Sequence, residues 1–390
     1  MKTLNLPRLP FTVSRLPFTA ALIALTAALP ACGPSEGGGG SVQVQISGEE
    51  LATDGFRFPD GSEVALTDGW ELTFTHVLVS VDRAWLAEDP NLDPFDQSRT
   101  GDLVAEAKGP WLIDLHQEGS APGAGGEGTA IPIALLDTAA DGASLPVGES
   151  YAFSYSTTPA TAAAEPLNLP DDAETAALRD EMIAGKYTIY YVGTATFKGT
   201  ACETSDPAYD FTALPQTVDF KLGFTTPVDY LNCQNQENQG DPLSGENYPR
   251  GVILREGTPT LAQMTLHLDH PFYSAVTHEP RLYFDQLAAQ LKGQPEGTPL
   301  TLATMTGVDP SAFTDADDTP LPWRSCDGSP LPAGAQRAFD TATVPLDPSA
   351  APAEALRDYR DYMHYVQSTQ GHMNGGEGLC FTRRNYPSPD

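Results

Sequence analysis

Trp70-Glu71-Leu72-Thr73-Phe74-Thr75-His76-Val77-Leu78-Val79-Ser80-Val81-Asp82-Arg83-Ala84-Trp85 is the best strand candidate in the chain. Side chains alternate along a strand. Trp70, Leu72, Phe74, His76 and Leu78 are therefore expected on one face, and Thr73, Thr75, Val77, Val79 and Val81 on the other. Both faces are apolar enough to be covered, which predicts a strand central in its sheet. Shorter runs rich in β-branched and aromatic residues flank it: 42–46, 111–115, 151–155, 186–198, 218–224 and 261–268. Helices are fewer. Asp171-Asp172 caps an expected helix over 173–184. Glu279-Pro280 opens a second, with Leu282, Phe284, Leu287, Ala288 and Leu291 on its apolar side. A third runs over 353–367, with Leu356, Tyr359, Met363 and Val366 at helical spacing. The 35 glycines and 35 prolines break the rest into short pieces.

The pattern predicts a mainly β protein: an antiparallel β-sandwich with a few added helices and two disulfides. Residues 42–200 form the expected sandwich domain. Residues 201–390 form a disulfide-containing, β-rich part with helices, either separate from the first or continuous with it.

The N-terminus points to export. Lys2, Arg8 and Arg15 make a basic region, and Phe18 to Leu29 an apolar run of about 12 residues, which is signal-peptide length and too short to span a bilayer. The run ends in Leu29-Pro30-Ala31-Cys32, which resembles the lipobox of bacterial lipoproteins. That resemblance implies that residues 1–31 are removed, that Cys32 is acylated, and that the chain sits in the cell envelope. Without an aspartate after Cys32, the outer membrane is the expected location. Residues 32–41, glycine-rich, read as a flexible tether.

The whole chain carries 21 basic and 52 acidic residues, a net charge of −31. Removal of residues 1–31 takes away three basic residues and leaves 18 against 52, or −34. Such a surface repels nucleic acid and anionic lipid, so nucleic-acid binding is set aside and the membrane is expected as a partner only through the anchor. Four cysteines remain, Cys202, Cys233, Cys326 and Cys380. In an exported chain they imply two disulfides, expected as the local pairs Cys202–Cys233 and Cys326–Cys380.

The chemistry worth following lies in the histidines. His267-Leu268-Asp269-His270 is followed by His278, and His372 sits in the glycine-rich segment 371–378. If the strand continues to 268, His267 and Asp269 share a face, and His270 follows at its exit. These three, completed by His372 or His278, form a candidate site for zinc or copper. The competing reading makes His267 a core residue and gives Asp269 and His270 to turn hydrogen bonds. His76 is expected as a core histidine bonded to a backbone carbonyl, and His116 as a solvated strand end. Asp315-Ala316-Asp317-Asp318 lacks the glycine and glutamate of an EF-hand loop, leaving at most a loose surface calcium site. No GxSxG elbow, phosphate loop or dinucleotide fingerprint is present. The expectation is a non-enzymatic, metal-binding envelope lipoprotein. Behind it stands a structural or interaction lipoprotein binding a protein or glycan through its sandwich. A metal-dependent hydrolase, with Glu279 or Glu377 as base, comes last.

Overall fold

The computed structural model describes residues 39–59, 65–126, 128–277, 280–342, 344, 346, 356–375 and 378–385. Cys32, His278, Glu279 and Glu377 lie outside these residues, as do the signal and most of the tether. Two mixed, mostly antiparallel sheets share one apolar core. The smaller runs in the order Gly378–Leu379, Gly371–Met373, Thr260–Leu266, Val42–Ser47, Thr129–Leu136, Ala121–Pro122. The larger is built around Trp70–Ala87, which pairs with Ile189–Phe197, Leu103–Asp114 and Ser150–Thr157. Strands from before and after residue 200 interleave in both sheets: Val42–Ser47 lies parallel to Thr260–Leu266, and Ile189–Phe197 antiparallel to Thr217–Phe224. No described helix is long and apolar enough to cross a membrane.

Trp70–Ala87 is central, as its two apolar faces require, but its faces are not those of a regular strand. Thr75 is skipped in the pairing with Ile189–Phe197, and Asp82 in the pairing with Ser150–Thr157. Each bulge adds one residue and flips the alternation. The main core therefore receives Trp70, Leu72 and Phe74, then Val77, Val79 and Val81, then Ala84 and Leu86. His76 and Leu78, expected beside Phe74, turn to the opposite face. There Leu78 packs with Leu112, Tyr190 and Val192 beneath Leu178 and Met182 of the helix Ala173–Ala184. That helix has its expected bounds, and Asp172 accepts the Thr175 N–H at 2.8 Å. His76 Nε2 lies 3.1 Å from the Thr175 hydroxyl, so its partner is this first-turn residue and not a backbone carbonyl.

The second expected helix shrinks to Asp285–Ala288 continued by a 3₁₀ turn, Ala289–Leu291. It is held by a buried ionic cluster. Arg337 donates to Asp68, Asp285 and Gln286 at 2.7–2.9 Å, and Arg324 and the Trp70 indole N–H also donate to Asp285. The third helix, Tyr359–Gln367, begins later than the apolar spacing suggests. Asp358 is its N-cap, accepting from the Asp361 N–H, and Leu356 precedes it. The four tryptophans are all core residues.

The disulfides are Cys202–Cys326 and Cys233–Cys380, with separations of 124 and 147 residues. The expected local pairs are overturned by ladder register. Glu203 pairs with Ser325, and Leu231 with Phe381, so each ladder sets its flanking cysteines side by side. Loop-closure entropy grows only with the logarithm of length. A fourfold longer loop costs about 1 kcal/mol more, too little to compete with a sheet.

Candidate metal centre

The two parallel strands Val42–Ser47 and Thr260–Leu266 end at the same edge of the smaller sheet, and the site is assembled just beyond them. His267 is the first residue after Leu266; its N–H donates to Gln370 O at 3.0 Å. His270 opens the 3₁₀ turn His270–Phe272, whose fixed start is supplied by Pro271. His372 lies on Gly371–Met373, opposite Thr265. Gly371 is needed there: a Cβ would stand 2.3 Å from the Tyr230 ring, over which this strand passes. The Tyr155 hydroxyl fixes the strand from below by donating to His372 O at 3.0 Å. Asn374, at φ 56°, locks the following turn. Its side chain accepts from Gln263 N and donates to Asn235 Oδ1, each at 3.0 Å, so it is committed to structure.

One ligand atom from each of His267, His270 and His372 lies within 4.8 Å of the other two. The His267 and His372 rings stack with centroids 4.3 Å apart, and His270 stands nearly perpendicular to both. His270 and His372 are buried, while His267 keeps 21% of its side chain exposed. Burial, reinforced by the neighbouring imidazole of His372, holds His267 well below the ordinary histidine range. Burial and both neighbours do the same for His270. Neutral imidazoles with free lone pairs are what a transition metal requires.

The tautomer of His270 follows from its partners. Thr369 Oγ1 lies 2.7 Å from His270 Nδ1 and 2.7 Å from Val366 O. With the hydroxyl hydrogen given to Val366 O, which only accepts, the Thr369 oxygen accepts from His270 Nδ1–H. That leaves the Nε2 lone pair for a ligand, the arrangement by which outer groups orient metal-binding histidines. Tyr273 stacks on the His270 ring at 4.5 Å and completes its positioning.

Asp269 stands outside the group. The strand stops at Leu266, so the alternation expected to align His267 and Asp269 does not apply. Asp269 instead has helical backbone angles before the 3₁₀ turn, and its Oδ2 accepts the Tyr273 hydroxyl at 3.1 Å. Burial pushes its pKa up to about 6. A carboxylate from elsewhere occupies the neighbourhood: Glu49 Oε1 lies 3.4 Å from His267 Nε2. Nothing in the local sequence marks Glu49, which comes from the far end of the chain by way of the parallel pairing.

The other candidates are placed apart. His364, on the helix Tyr359–Gln367, sets its ring edge-on to Phe224, and burial pushes its pKa down to about 4. His116 Nδ1 donates to Ala52 O at 2.8 Å. Asp315 spends one oxygen on the Asp317 and Thr319 N–H groups and the other on Lys292 and Tyr209. A cation already occupies that turn. No protein-family model, curated protein or solved structure matches the chain.

Proposed function

We propose that this protein is a non-enzymatic metal-binding protein of the cell envelope, holding zinc or copper at His267, His270 and His372. The reading rests on one observation: three imidazoles from three separate chain segments bring ligand atoms within 4.8 Å of one another. Imidazole-rich sites of this kind suit zinc and copper. The orientation of His270 by Thr369 and the depressed pKa values of His267 and His270 support it further. Asp269 and His278 are not needed for the site in this reading.

The envelope assignment rests on the lipobox-like Leu29-Pro30-Ala31-Cys32, together with two disulfides of the kind that persist in oxidising compartments. If Cys32 carries lipid, the tether meets the sandwich where Gly40 bonds to Leu145, at the start of the Val42–Ser47 strand. The histidines gather at the other end of that strand and its parallel partner, about 20 Å away at ~3.3 Å per residue. The acidic surface would raise the local concentration of cations around them.

Elemental analysis tests the reading, on the lipid-free chain purified without a histidine tag. About one equivalent of zinc or copper is expected, and the triple variant His267→Ala/His270→Ala/His372→Ala should retain none. A wild-type protein that neither retains nor is stabilised by either metal would end it.

A further inference from the structure

We propose that Glu49 supplies the fourth ligand of this centre, giving a tetrahedral set of three nitrogens and one oxygen suited to Zn²⁺. The inference rests on the histidine reading above and adds a residue and a geometry to it. Four ligands about 2.05 Å from a tetrahedral ion stand about 3.3–3.4 Å apart, whereas neighbours in a square plane stand about 2.9 Å apart. Glu49 Oε1 and His267 Nε2 are 3.4 Å apart, a tetrahedral edge. His267 Nε2 is buried and makes no hydrogen bond within the protein, so apart from this contact the nitrogen is uncommitted. Glu49 stands outside the mutual 4.8 Å of the three imidazoles, so fourfold ligation requires its carboxylate to move toward them from the position it holds here.

The backbone at this position is the second observation. Glu49 has φ 58°, a left-handed conformation that disfavours side chains other than glycine, asparagine and aspartate. Its N–H is fixed by Ser47 Oγ at 2.9 Å, and the strained residue is the one that carries the carboxylate to His267. Strain of this kind concentrates where a side chain must be aimed. The donor set contains no sulfur. Met373 follows His372 on its strand and is fully buried toward the other face, and all four described cysteines are in disulfides. Without a thiolate or thioether the set is a poor match for Cu⁺ and a good one for Zn²⁺.

The test uses Zn²⁺ competition against a chromophoric chelator, and Co²⁺ as a spectroscopic stand-in whose visible bands are strong only in tetrahedral fields. Wild type should show strong Co²⁺ bands. Glu49→Gln should weaken Zn²⁺ binding by at least the roughly 10–100-fold that loss of an outer partner costs, and lose band intensity. Glu50→Gln removes an exposed carboxylate next door and should change neither. Should Glu49→Gln fail to fold, Glu49→Asp keeps the charge, shortens the reach and should weaken binding in the same sense. Wild-type affinity and spectrum in the Glu49 variants, or an equal loss in Glu50→Gln, would overturn the role of Glu49 and leave the histidine site standing. Folded wild type that takes up neither ion would overturn the histidine reading itself.

Discussion

Replacing Thr369 with valine tests how His270 is prepared for a metal. Valine has nearly the same shape as threonine, so no cavity opens; what disappears is the oxygen that accepts His270 Nδ1–H at 2.7 Å. Val366 O loses the hydroxyl but keeps the Thr369 backbone N–H at 3.0 Å and its hydrogen bond with His270, so the imidazole loses one of its partners. Loss of one such hydrogen bond costs about 0.5–1.5 kcal/mol, which sets the expected loss of metal-free stability in urea unfolding. The second effect is on binding. Without Thr369 the proton is no longer held on Nδ1, and the Nε2 lone pair is no longer enforced. Loss of an orienting outer partner weakens metal binding about 10–100-fold, equivalent to about 1.4–2.7 kcal/mol. Thr369→Ser retains the oxygen and should recover most of the affinity. Thr369→Val with wild-type stability and wild-type zinc affinity would refute the tautomer argument.

Other consequences follow from the same structure. Peptide mapping under non-reducing conditions should recover Cys202 joined to Cys326 and Cys233 to Cys380. Removal of either pair by serine should cost about 3–5 kcal/mol, because loops this long approach the upper end of chain-entropy stabilisation. Arg337→Met leaves Asp68 and Asp285 with Arg324 as their remaining cation and should cost about 3–5 kcal/mol in denaturant unfolding. His364 has a folded pKa of about 4, below its unfolded value of 6.5, so the unfolded state takes up its proton first. Its contribution is intact above pH 6.5 and lost as pH falls toward 4, by up to about 3 kcal/mol and less to the extent that its edge meets solvent. His364→Leu should therefore flatten the stability profile between pH 6.5 and 4 in thermal unfolding.

The mainly β architecture was legible because alternation and β-branched runs report directly on strands, and the helix Ala173–Ala184 because Asp171-Asp172 marks its capped start. The faces of Trp70–Ala87 were not legible. A bulge depends on how many residues the partner strand offers, and nothing at Thr75 or Asp82 announces one. The cysteine pairing failed for a related reason, since ladder register between distant segments outweighs the small entropic preference for short loops. His267, His270 and His372 could be singled out by residue type and spacing alone. Asp269 was drawn in by extending a strand two residues too far, past Leu266. Glu49 and Thr369 were invisible, being neighbours of the site only through parallel pairing and helix packing.

Whether His267, His270 and His372 hold a metal ion together is decided by anomalous diffraction at the zinc edge on crystals of zinc-loaded protein. A single strong peak is expected among the three imidazoles, about 2.0–2.1 Å from a ring nitrogen of each. A zinc-loaded crystal with no peak between these rings, or with its metal held elsewhere, would contradict it.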